Sequence, residues 1–480
     1  MTKKAFKYDM QRGLGSCVLA LKNMREDEKE AFRPLVLWGC SRDLAYNAQC
    51  EGCRSYYLYE LINEFAEISP FLEVIEKRLF HGMHSTGWEF AQDCTLLAYF
   101  VSDGNKRAWK ILLCCYQTLL KILSEKHRRE QYGLLPERDN FEHMCVALVC
   151  SCFEDRERRI QIYQKIVRDL GILIEGNLLY DYDDFEWFQA SSEESLGKRT
   201  IQKLLHSNDV DESTRNYVQF REERLSTRKS ETKRKSRTEP ETAREVYQRL
   251  KEGERVGQMC SLMLGRTFMK QDKKLEILKL ASYYREEPDL EIRYNLLRLL
   301  ANKTCAWAPD MSSLIADTQS EYSELSEYAF TALGYRKDTK VRDYALALLQ
   351  RKEHTADAVS MLAANYEAAD RERFVEAVKQ IPITYADGYW HSAFHDVMEL
   401  FAVPGTGKPK ELLPYMYRNT LCSYCREHVV KEMGRRRLLT REMLEEMQYD
   451  SNSDIRDYAD KKFHIFSMKS KKIVRNCQEF

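Results

Sequence analysis

The most constraining feature of this sequence is a three- and four-residue spacing of apolar residues, which recurs through most of its 480 positions. In the segments 275–284 and 292–300 this spacing places the apolar side chains on one face of a helix. Short polar breaks separate such segments, and the alternation typical of strands is missing. Glycine (19) and proline (10) are scarce, which disfavours a turn-rich β protein. We therefore expect an all-α protein of stacked helical hairpins.

A second regularity is an Asp or Asn that is followed four residues later by an Arg. Asp and Asn favour the N-cap of a helix, because their side-chain oxygen accepts hydrogen bonds from the unpaired amides of the first turn. Each occurrence follows an apolar helical segment and a short polar break, so each predicts the start of a new helix. The pairs are Asp103 with Arg107, Asp155 with Arg159, Asp289 with Arg293, Asp338 with Arg342, and Asn452 with Arg456.

Two of these segments, 289–299 and 338–349, resemble the second helix of HEAT repeats, and 452–459 is a looser match. In HEAT and armadillo-type proteins the repeats stack into an α-solenoid. In the HEAT family an Asp and an Arg typically form a ladder between successive repeats. The resemblance implies a right-handed α-solenoid of HEAT-like hairpins, in one array or two. It also implies a structural ladder with these members: Asp289, Arg293, Asp338, Arg342, Asn452 and Arg456.

A change in composition divides the chain near its middle. Residues 221–244 consist largely of charged side chains and contain very few apolar ones. Because such a segment buries little apolar surface, it predicts a mobile linker or an exposed helix end. We expect an N-terminal HEAT-like array at 1–206, a charged linker at 207–242 and a C-terminal array at 243–480.

The charge balance and the cysteine content narrow the class of protein. With 75 Lys and Arg against 75 Asp and Glu, the chain is not a globally basic nucleic-acid binder. This balance does not exclude a local basic patch. The N-terminus lacks the apolar stretch of a signal peptide, and no apolar run is long enough to span a bilayer. Given 15 cysteines and no export signal, we expect a cytoplasmic protein with mostly reduced thiols and no membrane partner.

Two segments near the predicted linker are candidate recognition surfaces. Residues 180–194 are acidic and aromatic, which suggests docking through Tyr182, Phe185 and Trp187, the alternative being a helix end or loop packed on the array. The basic run 228–237 suggests phosphate contacts but has no aromatic residue for base stacking, and a solvated linker is its alternative. The candidate phosphate contacts are Arg228, Lys229, Lys233, Arg234, Lys235 and Arg237.

Cysteine pairs at helical spacing are candidate metal ligands. Cys422, Cys425 and His428 lie at three-residue steps, which places them on one face of a helix. Thiolate and imidazole suit zinc, but a zinc site needs a fourth ligand, and the alternative is a small apolar helix face that happens to contain cysteine. Cys50 and Cys53, with Cys40 nearby, form a second thiol cluster. Neither cluster has the paired spacing of a zinc finger, so no metal is predicted from them.

A histidine pair offers a further candidate. His391 and His395 lie one helical turn apart, and Glu399 follows at the same step. This spacing suits metal binding, but Ser392 stands where a zinc protease has its catalytic glutamate. The alternative is the polar edge of an amphipathic helix. No metal and no cofactor are predicted.

The sequence favours a non-enzymatic scaffold that binds a protein or peptide on the concave face of a solenoid, because no catalytic constellation is complete. No catalytic residue is assigned. The alternative is a nucleic-acid-associated HEAT-like protein, of the DNA-repair glycosylase type, that uses a basic groove. A continuous basic groove would favour this alternative, whereas an apolar or mixed groove would favour the scaffold.

Overall fold

The architecture is entirely helical over the part of the chain that the computed structural model describes. The described residues contain no strand, which confirms the predicted all-α class. Within them, every helix is too short or too polar to cross a lipid bilayer. The described residues are 1–81, 86–124, 135–150, 155–176, 185–235, 242–254, 274–301, 310–386, 388–403, 405 and 407–463.

The helices follow one another at short intervals. The first fourteen are α1 (Lys3–Arg12), α2 (Ser16–Lys22), α3 (Glu26–Lys29), α4 (Arg33–Cys40), α5 (Ala48–Glu51), α6 (Ser55–Asn63), α7 (Ser69–Phe80), α8 (Gly87–Ser102), α9 (Lys106–Ser124), α10 (Leu135–Cys150), α11 (Arg156–Glu175), α12 (Glu186–Leu196), α13 (Lys198–Leu205) and α14 (Glu212–Lys235). The others are α15 (Ala243–Lys251), α16 (Lys274–Glu286), α17 (Leu290–Leu300), α18 (Met311–Asp317), α19 (Ser323–Gly334), α20 (Thr339–Arg351), α21 (Thr355–Ala364), α22 (Arg371–Gln380), α23 (Tyr389–Ala402), α24 (Leu412–Asn419), α25 (Ser423–Arg435), α26 (Arg441–Met447) and α27 (453–463).

The chain forms two compact units, and the division does not follow chain order. Unit 1 takes in Met1–Ser236, Leu421–Glu427 and Arg437–Phe480, and unit 2 takes in Arg237–Thr420 and His428–Arg436. The sequence predicted consecutive arrays, whereas the packing joins α26 and α27 to the N-terminal helices.

Unit 1 has one large apolar core that draws on helices from α1 to α14. Phe6, Tyr57 and Phe141 are among its fully buried aromatic side chains. Helix α14, which falls in the predicted linker, packs closely on α11: a Cβ at Gly171 would lie 1.8 Å from the carbonyl oxygen of Ser213. The backbone of the predicted linker is therefore helical from Glu212 to Lys235, in keeping with the alternative of a helix end. The first part of this helix is packed against α11.

Unit 2 contains two sets of helices. Helices α17, α19, α21 and α23 pack one against the next, while α18 packs against α20 and α22 against α24. Chain neighbours also pair, as in α16 with α17, α18 with α19, and α20 with α21. Helices α17, α19 and α21 therefore contact both the preceding helix and the helix two places further on.

The predicted N-caps explain where several helices begin. Asp289, Asp338 and Asn452 accept hydrogen bonds from amides two or three residues later, at 2.8–3.2 Å, so that α17, α20 and α27 start immediately after them. Asp155 caps α11 in the same way. Asp103 differs: it accepts a hydrogen bond from the Tyr59 hydroxyl, and the side chain of Asn105 caps α9 instead.

Candidate functional site

Two arginines of the predicted ladder, Arg293 and Arg342, bind acidic residues further along the chain and not the Asp four residues before them. Arg293 donates to Asp317 at the end of α18, at 2.9 and 3.2 Å. Arg342 forms a bidentate pair with Asp370, at 2.8 and 2.9 Å, just before α22. The arginines therefore link successive elements of unit 2, while the preceding Asp side chains serve as caps.

The two best-matching segments do not occupy equivalent places. Helix α17, which follows Asp289, belongs to the set formed with α19, α21 and α23. Helix α20, which follows Asp338, packs with α18 and lies in the other set. An N-cap followed by an arginine serves at the start of a helix in either set. The similarity of the two sequences therefore does not define a repeat unit.

Arg456, the third arginine of the predicted ladder, makes different contacts. Arg456 donates to the backbone carbonyl oxygens of Asp450 and Ser451, at 2.7 and 3.2 Å. Its guanidinium group lies over the ring of Tyr56, 4.3 Å from the ring centroid. It has no carboxylate partner in these contacts and secures the turn before α27.

An arginine that the sequence analysis did not single out forms the most buried ion pair. Arg426, in the first turn of α25, pairs with Asp450 through two hydrogen bonds of 2.8 and 2.9 Å, and both side chains are 0% exposed. The separation of 24 residues is the same as between Arg293 and Asp317. The sequence does place Arg426 at the start of a helix. Four residues before it, however, lies Cys422, where the other arginines of the pattern have Asp or Asn.

Unit 2 contains a groove of about 910 Å³ along the set α17, α19, α21 and α23. Its lining mixes aromatic, acidic and basic side chains, so the groove is neither apolar nor continuously basic. The residues with aromatic or charged side chains are Arg298, Glu327, Tyr328, Phe330, Tyr335, His354, Asp357, Tyr389 and Asp396. We refer to this feature as the unit 2 groove.

One side of the unit 2 groove carries a histidine–carboxylate pair. The His354 ring stacks on Phe330 with 4.3 Å between centroids, and its Nδ1 lies 3.4 Å from the carboxylate of Asp357. Burial raises the pKa of Asp357 above its ordinary value, and the nearby charge of Glu327 acts in the same direction, while His354 opposes both. A cationic group that entered here would stabilise the ionised carboxylate.

The predicted docking residues do not form one exposed surface. Phe185 is 2% exposed and belongs to the core of unit 1. Trp187 is 43% exposed and meets the ring of His143 edge-on, at 4.7 Å between centroids. Tyr182 lies outside the described residues. Phe185 is therefore an anchor for the start of α12, and Trp187 is the one exposed aromatic of the two that are described.

The predicted phosphate contacts fall at the end of α14. The backbone of 228–235 continues this helix without a break, and Arg237 lies outside the described residues. The helical backbone carries the following candidates: Arg228, Lys229, Lys233, Arg234 and Lys235.

The candidate metal ligands are distributed over both units. His391 and His395 lie on α23 in unit 2, where the neighbouring Trp390 and Phe394 are buried, as the amphipathic-helix alternative predicted. His395 Nδ1 lies 3.6 Å from Glu399. Cys422 and Cys425 belong to unit 1, and the exposed His428 falls in the unit 2 part of α25.

Comparison with known proteins gives no family. No model of a protein family matches the chain, and no curated protein matches it. The resemblance to HEAT repeats therefore depends on the sequences of the segments 289–299, 338–349 and 452–459 alone.

Proposed function

We propose that the chain is a non-enzymatic interaction scaffold, a HEAT-like α-solenoid that docks a protein or peptide in the unit 2 groove. The observation that carries this proposal is the mixed lining of a groove of about 910 Å³ that runs along side-by-side helices. Stacked helices of this kind present extended surfaces to their partners in repeat proteins.

Aromatic side chains in the unit 2 groove support a protein or peptide as its occupant. Tyr328, Phe330 and Tyr389 line it, and Tyr389 is 52% exposed. Aromatic residues are enriched in protein interfaces, because a rigid ring buries a large area at low entropic cost. Tyr389 therefore provides contact area that a partner would cover.

The charge of the unit 2 groove favours the scaffold over the nucleic-acid alternative. Its lining includes the carboxylate residues Glu327, Asp357 and Asp396, and Arg298 is the only arginine among the described residues that line it. Phosphate backbones are bound through clusters of Lys and Arg, and neighbouring carboxylates repel them. A peptide segment with basic and aromatic side chains fits this lining better than a nucleic acid does.

Site-specific photo-crosslinking tests the proposal. The photoreactive residue p-benzoylphenylalanine replaces Tyr389 in the full chain, and the same replacement at Tyr8, an exposed tyrosine of unit 1, serves as the matched control. Both variants are produced in the native host, irradiated, treated with nuclease and analysed by mass spectrometry.

We expect a discrete crosslinked protein at position 389 and none at position 8. Crosslinks to nucleic acid at position 389 would contradict the scaffold and favour the nucleic-acid-associated function. Equal crosslinking at both positions, or none at position 389, would exclude the unit 2 groove as the docking site.

A further inference from the structure

Two cysteine pairs with the same spacing meet in unit 1. Cys50-Glu-Gly-Cys53 ends α5, and Cys422-Ser-Tyr-Cys425 begins α25. The carboxylate of Glu51 accepts a hydrogen bond from the amide of Ser423 at 2.8 Å, across 372 residues of sequence. A residue inside one pair is therefore bonded directly to a residue inside the other.

A buried arginine holds this junction together. Arg54 donates to the carbonyl oxygen of Leu421 at 2.9 Å and to Glu51 at 3.2 Å, and both charged side chains are almost fully buried. The amide of Asn47 also donates to the Glu51 carboxylate, at 2.8 Å. Glu51 therefore joins the segment before the first pair to Ser423 in the second pair.

The sulfur atoms are placed differently in the two pairs. The Cys422 and Cys425 sulfurs are within 4.8 Å of each other, whereas the Cys53 sulfur lies 3.0 Å from the Ser55 hydroxyl. None of the four cysteines forms a disulfide. Cys50 and Cys53 also line a cavity of about 410 Å³ next to Tyr424, Glu427 and Arg456.

We propose that these two pairs form a structural zinc site with Cys50, Cys53, Cys422 and Cys425 as its ligands. Two C-x₂-C pairs supply the four thiolates of a closed tetrahedral site, with Zn–S bonds of about 2.3 Å. Each ligand loses its thiol proton on binding, so one Zn²⁺ and four thiols give a dianionic tetrathiolate centre and four released protons. Arg456 in the cavity lining offsets part of this negative charge.

Closure of the site requires a movement of the first pair. Neither the Cys50 sulfur nor the Cys53 sulfur lies within 4.8 Å of both sulfurs of the second pair. Gly52, between them, has a φ of +71° and no other residue within 4 Å of the position of a Cβ. The turn between Cys50 and Cys53 is therefore not packed against another segment at the position of Gly52.

Metal analysis of the full chain tests this site. The chain is produced with zinc in the medium, purified under reducing and anaerobic conditions, and analysed by plasma mass spectrometry. The variants are C50S/C53S and C422S/C425S, and C114S/C150S, which changes two half-buried cysteines outside the junction, is the matched control. We expect roughly one zinc ion per chain in the wild type and the control, and none in either of the other variants.

Cobalt substitution provides a second readout that does not depend on the variants folding. Co²⁺ bound to the wild-type chain should give the visible bands of a tetrahedral thiolate site, and addition of zinc should abolish them. A metal-free wild-type chain with all thiols reduced would overturn the proposal, as would full zinc retention in folded C50S/C53S. Disulfide formation within each pair under these conditions would overturn it as well.

Discussion

Arg426 and Asp450 form a bidentate ion pair from which solvent is fully excluded. The pair joins the first turn of α25 to Asp450, which lies in the short turn before α27. Arg426 also donates to the Ser451 hydroxyl at 3.2 Å, so its guanidinium group secures the whole turn. Removal of either partner would leave a charge uncompensated in a medium of low dielectric constant.

The first prediction concerns this pair. Arg426→Ala should lower the free energy of unfolding by about 3–5 kcal/mol, because Asp450 would remain buried and charged. Urea denaturation of the full chain, followed by circular dichroism, measures the loss. Arg371→Ala is the control, since Arg371 pairs with Glu411 at the surface, and it should leave the urea midpoint unchanged. Equal effects of the two variants would contradict the assignment.

The second prediction separates the ladder contacts from the caps. Arg293→Ala and Asp317→Ala should each cost about 1–3 kcal/mol, and the double variant should cost clearly less than their sum, because the two side chains share one ion pair. Asp289→Ala should cost about 1 kcal/mol through loss of the cap and should be additive with Arg293→Ala.

A double-mutant cycle in urea measures these couplings. Asp289→Asn, which retains a capping oxygen, should be nearly neutral. Strong coupling between Asp289 and Arg293, together with additivity of Arg293 and Asp317, would contradict these assignments.

The third prediction concerns pH. His143 lies between the rings of Trp88 and Trp187, and burial lowers its pKa to about 4 from an ordinary value near 6.5. Between these two values the unfolded chain binds a proton that the folded chain does not, so stability falls as the pH drops from about 6.5 to 4. The loss should reach about 2–3 kcal/mol, since His143 remains partly accessible.

Urea midpoints measured from pH 7.5 to 4 test this, with His143→Phe compared with His206→Phe at an exposed histidine. The His143 variant should lose less stability on acidification than the wild type does, and the His206 variant should follow the wild type. Parallel curves for all three proteins would exclude a buried neutral His143.

The fourth prediction tests the packing of α14 on α11. Gly171→Ala places a Cβ 1.8 Å from the Ser213 carbonyl oxygen, so the two helices must separate. We expect a lower melting temperature. Gly334→Ala is the control, because the nearest atom to a Cβ there lies at 3.5 Å, an ordinary van der Waals distance. A Gly171 variant as stable as the wild type would show that α14 is not held against α11.

The sequence predicted the helical class and most N-caps because both depend on local rules. The spacing around Leu296 and Ala345 identifies helix faces, and both side chains are buried. Asp289 and Asp338 act on amides within their own first turn, so their role can be inferred from neighbouring residues alone.

The partners in the ion pairs could not be predicted in this way. Asp317 and Asp370 lie 24 and 28 residues beyond their arginines, and no local pattern distinguishes them from the other acidic residues of the sequence. The packing of Arg426 with Asp450, and of Glu51 with Ser423, depends on how distant segments meet. Phe185 illustrates the converse: an aromatic in an acidic segment suggested docking, but the start of α12 uses it as an apolar anchor.

A variant that blocks the unit 2 groove tests most directly whether a protein partner occupies it. Ser392→Trp fills the groove from the exposed side of α23, and Thr118→Trp, at an exposed position of α9, is its matched control. Affinity capture from nuclease-treated host lysate is quantified for both variants and the wild type. We expect the partner crosslinked at Tyr389 to be lost only with Ser392→Trp, and its retention by that variant would contradict occupancy of the unit 2 groove.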